Sequence, residues 1–157
     1  MAVSKMLEGF CTDIEALLSA GLVRQAVRHA VALPGICSAL EDAAMRGLDD
    51  GYLAWCARWL QFPRRKGSVA IGARLLRLHT RSGHEASYWL TALRARRNAR
   101  SYQGMERQPL WQRANRLEAF EAALCRTLVE AARLWYAEHG RNDRTVQANL
   151  GKLLITR

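Results

Sequence analysis

The residues best suited to chemistry are an arginine and a histidine five positions apart, Arg74 and His79, in the segment Arg74-Leu75-Leu76-Arg77-Leu78-His79. Five residues turn a helix through about 140°, so the two side chains can flank one groove. An imidazole can move the 2′-hydroxyl proton of RNA, and a guanidinium can hold a phosphate and stabilise developing charge. The pair would suit metal-independent RNA cleavage, and a partly buried structural histidine is the alternative for His79.

Other chemical motifs are not evident in the sequence. The four cysteines, Cys11, Cys37, Cys56 and Cys125, are widely separated and form no CxxC pair, which predicts free and mostly buried thiols. The sequence has no P-loop, no GxGxxG and no nucleophile elbow. We therefore expect neither a metal nor a cofactor.

The positive charge of the chain is confined to residues 64–116. This stretch has thirteen Arg or Lys and two acids, for a formal charge of +11, whereas the other 104 residues sum to −1. A field concentrated in this way usually has a polyanion as its counterpart, most often nucleic acid. The basic residues are Arg64, Arg65, Lys66, Arg74, Arg77, Arg81, Arg94, Arg96, Arg97, Arg100, Arg107, Arg113 and Arg116.

Nucleic acid, with RNA favoured, is the partner that this stretch predicts. Arg94, Arg97 and Arg100 recur every third residue and could follow phosphates, for which the planar guanidinium is well suited. The aromatic residues Trp89 and Tyr102 lie among the arginines and could stack on unpaired bases. Two alternatives remain open, an acidic protein partner and a plain solvated surface.

Length and composition indicate one all-helical domain over residues 1–157. Half of the residues are hydrophobic, which argues against general disorder. No apolar run reaches the roughly 18 residues of a membrane span, and the N-terminal residues make a poor signal peptide. We expect a cytoplasmic protein with no membrane association.

Apolar residues recur at helical spacing in nearly every segment, so the predicted fold class is all-α, a compact bundle of six to eight helices. Gly21 is expected to end the first helix, Asp49 or Asp50 to cap the fourth, and Asn142 or Asp143 to cap the last. The predicted helices span about 4–20, 22–32, 34–45, 68–80, 85–101 and 110–139. A further predicted helix runs through Tyr52 and Trp59, and a last short helix contains Val146, Leu150 and Leu153.

The R-x4-H segment, with an apolar residue before the histidine, resembles the signature of the HEPN superfamily of small helical domains. Leu33 to Glu41 and the later Trp135-Tyr136-Ala137 also resemble bacterial proteins with similar helices. The resemblance implies a ribonuclease in defence against foreign nucleic acid, with Arg74 and His79 as catalytic residues at the cleft of a homodimer. Leu75 departs from the polar residue that commonly follows the arginine, which also leaves room for an inactive, binding-only form.

A second segment, Gly72 to Leu75 continuing through Ser82-Gly83 to Arg96, is loosely similar to the small helical subunits of CRISPR interference complexes. These subunits have no active site and hold nucleic acid through phosphate contacts within a larger assembly. The resemblance therefore implies a non-enzymatic nucleic-acid-binding subunit as the alternative function.

Overall fold

The computed structural model describes residues 2–60, 68–81, 89–90, 92–93 and 116–155. Within these ranges the chain is helical, with no strand, and the predicted all-α class is confirmed. A 3-10 turn over Gly140–Asn142 precedes the last helix, and residues 89–90 and 92–93 are also helical. The helices are α1 (Ala2–Ala20), α2 (Val23–Ala30), α3 (Leu33–Glu41), α4 (Asp49–Trp59), α5 (Ser68–Arg81), α6 (Arg116–Glu138) and α7 (Arg144–Ile155).

The predicted stop at Gly21 is confirmed. Gly21 has a φ of 74°, a left-handed conformation that glycine adopts without steric cost. Its amide donates to the Leu18 carbonyl at 3.0 Å, and the Leu22 amide donates to Leu17 at 2.8 Å. This pair of bonds is the Schellman arrangement, which satisfies the last carbonyls of a helix. The chain thereby reverses, and α2 packs against α1.

Helix α3 lies at the centre of the fold, because every residue from Leu33 to Leu40 is buried. It contacts α4, α6 and α7. The sequence predicted that this helix would continue to Met45, but it ends at Glu41. The reason is local: Met45 has a φ of 52°, and the Asp42 carboxylate accepts hydrogen bonds from the Arg46 backbone and side chain at 3.0 and 2.8 Å.

Capping was predicted correctly at one helix and incorrectly at another. The Asp143 carboxylate accepts the Val146 amide at 2.9 Å and so begins α7 as expected. At α4, Asp49 and Asp50 lie inside the first turn, and the cap position is Leu48, without a side-chain hydrogen bond. Their carboxylates instead interact favourably with the positive end of the helix dipole.

The buried part of α6 begins further along the helix than the sequence pattern of apolar residues predicts. Cys125, Leu128, Ala132 and Trp135 are buried, whereas Phe120, on the same predicted stripe, is 67 % exposed. Helices α1 to α4 pack on α6, and its buried positions within the described side chains start at Cys125.

None of the helices in the part of the chain that the structure describes combines the length and the apolar character that crossing a bilayer requires.

Candidate functional site

Helix α5 carries three arginines on one face. Arg74, Arg77 and Arg81 are all exposed, and their spacing of three and four residues places them in a row along the helix. Together with Leu78 they line an open groove of about 350 Å³. Seven residues of helix rise by about 10 Å, so the row is long enough to meet more than one phosphate of a nucleic-acid strand.

The opposite face of α5 holds the helix against α4. Leu75 is buried, and Gly72 is buried beside Cys56. A Cβ atom placed on Gly72 would lie 3.2 Å from the Cys56 Cβ and 3.6 Å from a Leu53 methyl carbon. A glycine at this position therefore lets the two helices approach closely, and this packing directs the arginines outward.

His79 faces a different environment from Arg74. Its ring stacks on the Tyr52 ring, with centroids 5.4 Å apart and planes inclined by 19°. A Cβ atom on Gly35 would lie 3.4 Å from the His79 Nε2, so that glycine leaves room for the imidazole beside α3. The Tyr52 hydroxyl donates to the Val31 carbonyl at 2.6 Å, which fixes the ring that supports His79.

Arg74 and His79, the two residues of the R-x4-H segment, therefore lie in two different environments. The residues that line the arginine groove are Arg74, Arg77, Leu78 and Arg81, while the His79 imidazole is packed among aromatic rings. A catalytic partnership of Arg74 and His79 would require the substrate to reach both places, and it stays a prediction.

The position of the Trp89 side chain is not compatible with the prediction that this ring stacks on unpaired bases. Its side chain is 3 % exposed. Its ring meets Phe10 and His29 edge-on, with centroids 6.1 and 5.5 Å away, and lies 6.4 Å from the His79 ring. A base cannot stack on a ring whose surroundings are filled by protein, so Trp89 is a core residue in this structure.

Most of the other predicted contact residues lie outside the part of the chain that the structure describes. Arg116 is the first residue of α6. The remainder lie outside the described residues: Arg64, Arg65, Lys66, Arg94, Arg96, Arg97, Arg100, Tyr102, Arg107 and Arg113.

Two arginines elsewhere in the described chain, Arg46 and Arg133, are held by carboxylates, in contrast to those of α5. Arg46 pairs with Asp42 at 2.8 Å, and Arg133 bridges Glu8 at 2.6 Å and also pairs with Glu15. Hydrogen bonding to Glu8 raises the pKa of the Arg133 guanidinium. Among the described residues, no carboxylate pairs with Arg74, Arg77 or Arg81, so their charge is available to a ligand.

A polar cluster that sequence reasoning missed joins three helix ends. The Trp135 indole donates to the Glu41 carboxylate at 2.6 Å. The His139 Nε2 lies 3.4 Å from both Glu41 and Asp143. Asn149, which is buried, donates to the Leu40 and Asp42 carbonyls at 2.9 and 2.8 Å. These contacts satisfy the C-terminal end of α3, a structural role.

No group of side chains suited to a metal ion occurs within the described residues. The thiols of Cys11, Cys37, Cys56 and Cys125 are free and buried, as predicted. Burial raises the pKa of Cys11, Cys56 and Cys125 to about 12. At neutral pH these thiols are protonated, which makes them poor nucleophiles and poor metal ligands.

Comparisons with protein-family models, with curated proteins and with solved structures found no match. The interpretation of the site therefore depends on its own geometry.

Proposed function

We propose that the protein binds nucleic acid, with RNA favoured, and that the arginine face of α5 forms part of the binding surface. The observation that carries the proposal is the row of Arg74, Arg77 and Arg81 along one open groove. These guanidiniums are exposed, whereas Arg46 and Arg133 are neutralised by carboxylates. The excess of +11 over residues 64–116 supports the same partner, since α5 lies within that stretch.

Leu78, at the centre of the groove, is 41 % exposed. It offers a small apolar surface between the guanidiniums, where a ribose or a base can rest while the phosphates are held. Arginine suits this role because its fork of donors can engage two oxygens of one phosphate.

The geometry favours nucleic-acid binding without RNA cleavage. The Arg74 guanidinium is in the groove, but the His79 ring is stacked on Tyr52. A role as a subunit that holds nucleic acid in a larger assembly needs only the arginine face. Metal-independent cleavage needs His79 as well.

The test is a titration of fluorescently labelled RNA with the full chain at several salt concentrations. Reversing the three arginines together, Arg74→Glu, Arg77→Glu and Arg81→Glu, should abolish most of the binding. Each phosphate contact contributes about 0.7 to the slope of log affinity against log salt for single strands. The slope should therefore fall by about 2 in the triple variant.

The matched control reverses three exposed arginines of α2 and α6, Arg24→Glu, Arg28→Glu and Arg126→Glu, with the same change in net charge. Equal loss of binding in both triple variants would show that net charge alone acts, and would overturn the α5 site. Incubation of the same RNA with EDTA tests cleavage: a product that disappears in both Arg74→Ala and His79→Ala would establish the ribonuclease form.

A further inference from the structure

A second surface, remote in sequence from the arginine face, has the properties of a small-molecule site. It is an open cleft of about 340 Å³ between the first turns of α1 and the end of α6, and Arg141 of the 3-10 turn also lines it. This volume lies at the lower end of the range for ligand pockets, about 300–1,000 Å³. Its lining includes Lys5, Leu7, Glu8, Arg133, Tyr136 and Arg141.

The charges of the cleft favour an anion. Among the described residues that line it, the one acid is Glu8, and Arg133 donates to both of its carboxylate oxygens at 2.6 and 3.1 Å. Arg133 is also held by Glu15. Lys5 and Arg141 are exposed at the cleft, and within the described residues neither forms an ion pair with a carboxylate. Two cations without a carboxylate partner in the described part of the chain, one on α1 and one in the 3-10 turn, therefore line the cleft.

The apolar lining of the cleft favours a ligand that has an apolar or aromatic portion in addition to its charged group. Tyr136 accepts a hydrogen bond from the Gln147 Nε2 at 3.4 Å, so its hydroxyl proton remains available for another acceptor. Its half-buried ring, with Leu7 and Ala137, supplies apolar lining. Aromatic rings of ligands pack favourably on such surfaces.

We propose that this cleft binds a small organic phosphate monoester, such as a nucleoside monophosphate. A phosphate monoester carries about −1.5 to −2 charges at pH 7 and three acceptor oxygens, so Lys5 and Arg141 can both contact it. The apolar lining and the Tyr136 ring take the sugar and the base. This proposal does not depend on nucleic-acid binding by α5, because none of the residues that line the cleft belongs to the basic stretch 64–116.

The experiment is isothermal titration calorimetry of the full chain with adenosine monophosphate, adenosine and inorganic phosphate. The monophosphate should bind more tightly than either fragment. Lys5→Glu and Arg141→Glu should each weaken its binding by about tenfold or more, since each variant loses a charge-assisted contact with the phosphate and adds a like charge. Tyr136→Phe, which keeps the ring, should weaken it less.

The control is Arg126→Glu, which makes the same charge change on an exposed part of α6 away from the cleft. It should leave the affinity unchanged, and circular dichroism verifies that each variant is folded. No heat of binding at millimolar monophosphate would overturn the proposal. Binding that survives both reversals at the cleft, or that adenosine or phosphate alone reproduces at equal affinity, would also overturn it.

Discussion

The His79 imidazole lies nearly parallel to the Tyr52 ring, and that one contact changes how the R-x4-H segment is interpreted. A general base must reach the proton that it abstracts. The rings of Tyr52 and Trp89 instead surround His79 with packing partners. A contribution of this histidine to the stability of the fold follows directly from these contacts.

Replacing His79 by alanine tests that contribution. We expect His79→Ala to lower the free energy of unfolding by about 0.5–3 kcal/mol, the usual range for a destabilising substitution, because it removes a ring that packs against Tyr52 and Trp89. RNA affinity of the folded variant should be unchanged. Urea denaturation and the RNA titration measure the two quantities, with Thr80→Ala as an exposed neighbouring control. A variant of unchanged stability that no longer acts on RNA would instead assign His79 to the site.

At the level of helices, α5 could be predicted from the sequence largely because its pattern is local. The three- and four-residue spacing of its arginines and leucines fixes two faces without reference to the rest of the chain. The contact of His79 with Tyr52 and Gly35 could not be predicted in this way, because those residues belong to three helices. The cleft of Lys5, Arg133 and Arg141 was missed for the same reason: its cations are distant in sequence and become neighbours only when α1 packs on α6.

Two glycines within helices give a matched test of packing at this scale. Gly151 of α7 has open space where a Cβ would be, while a Cβ on Gly72 would approach Cys56. We expect Gly151→Ala to raise the free energy of unfolding by about 0.5–1 kcal/mol, the gain in helix propensity. Gly72→Leu should lower it and weaken RNA binding, because α5 is forced away from α4. Chemical denaturation of both variants checks the signs. A Gly72→Leu protein as stable as the parent would contradict the close packing.

For the molecule as a whole, the four thiols report on the integrity of the core. Cys11, Cys37, Cys56 and Cys125 come from α1, α3, α4 and α6, and all are buried. Their pKa values are raised by burial, to about 12 for three of them, from an ordinary value of 9.0. The unfolded chain therefore releases these protons at lower pH than the folded one.

Two results follow for the intact protein. A thiol reagent at pH 8 should label the native chain only as fast as it unfolds, and all four thiols together. Because the folded pKa values lie above the unfolded ones, the thiol contribution to stability is complete below pH 9 and is lost as the pH rises toward 12. Labelling kinetics and the alkaline unfolding transition measure these effects. One cysteine that reacts at the rate of a free thiol would contradict the buried arrangement.

The central helix α3 has a practical consequence for anyone who redesigns this protein. Its residues from Leu33 to Leu40 are all buried, so it offers no attachment point for a label, a tag or a crosslinker. Every change of volume along it must be matched by an opposite change in α4, α6 or α7. Probes therefore belong on the outer helices, and α3 can be altered only together with its neighbours.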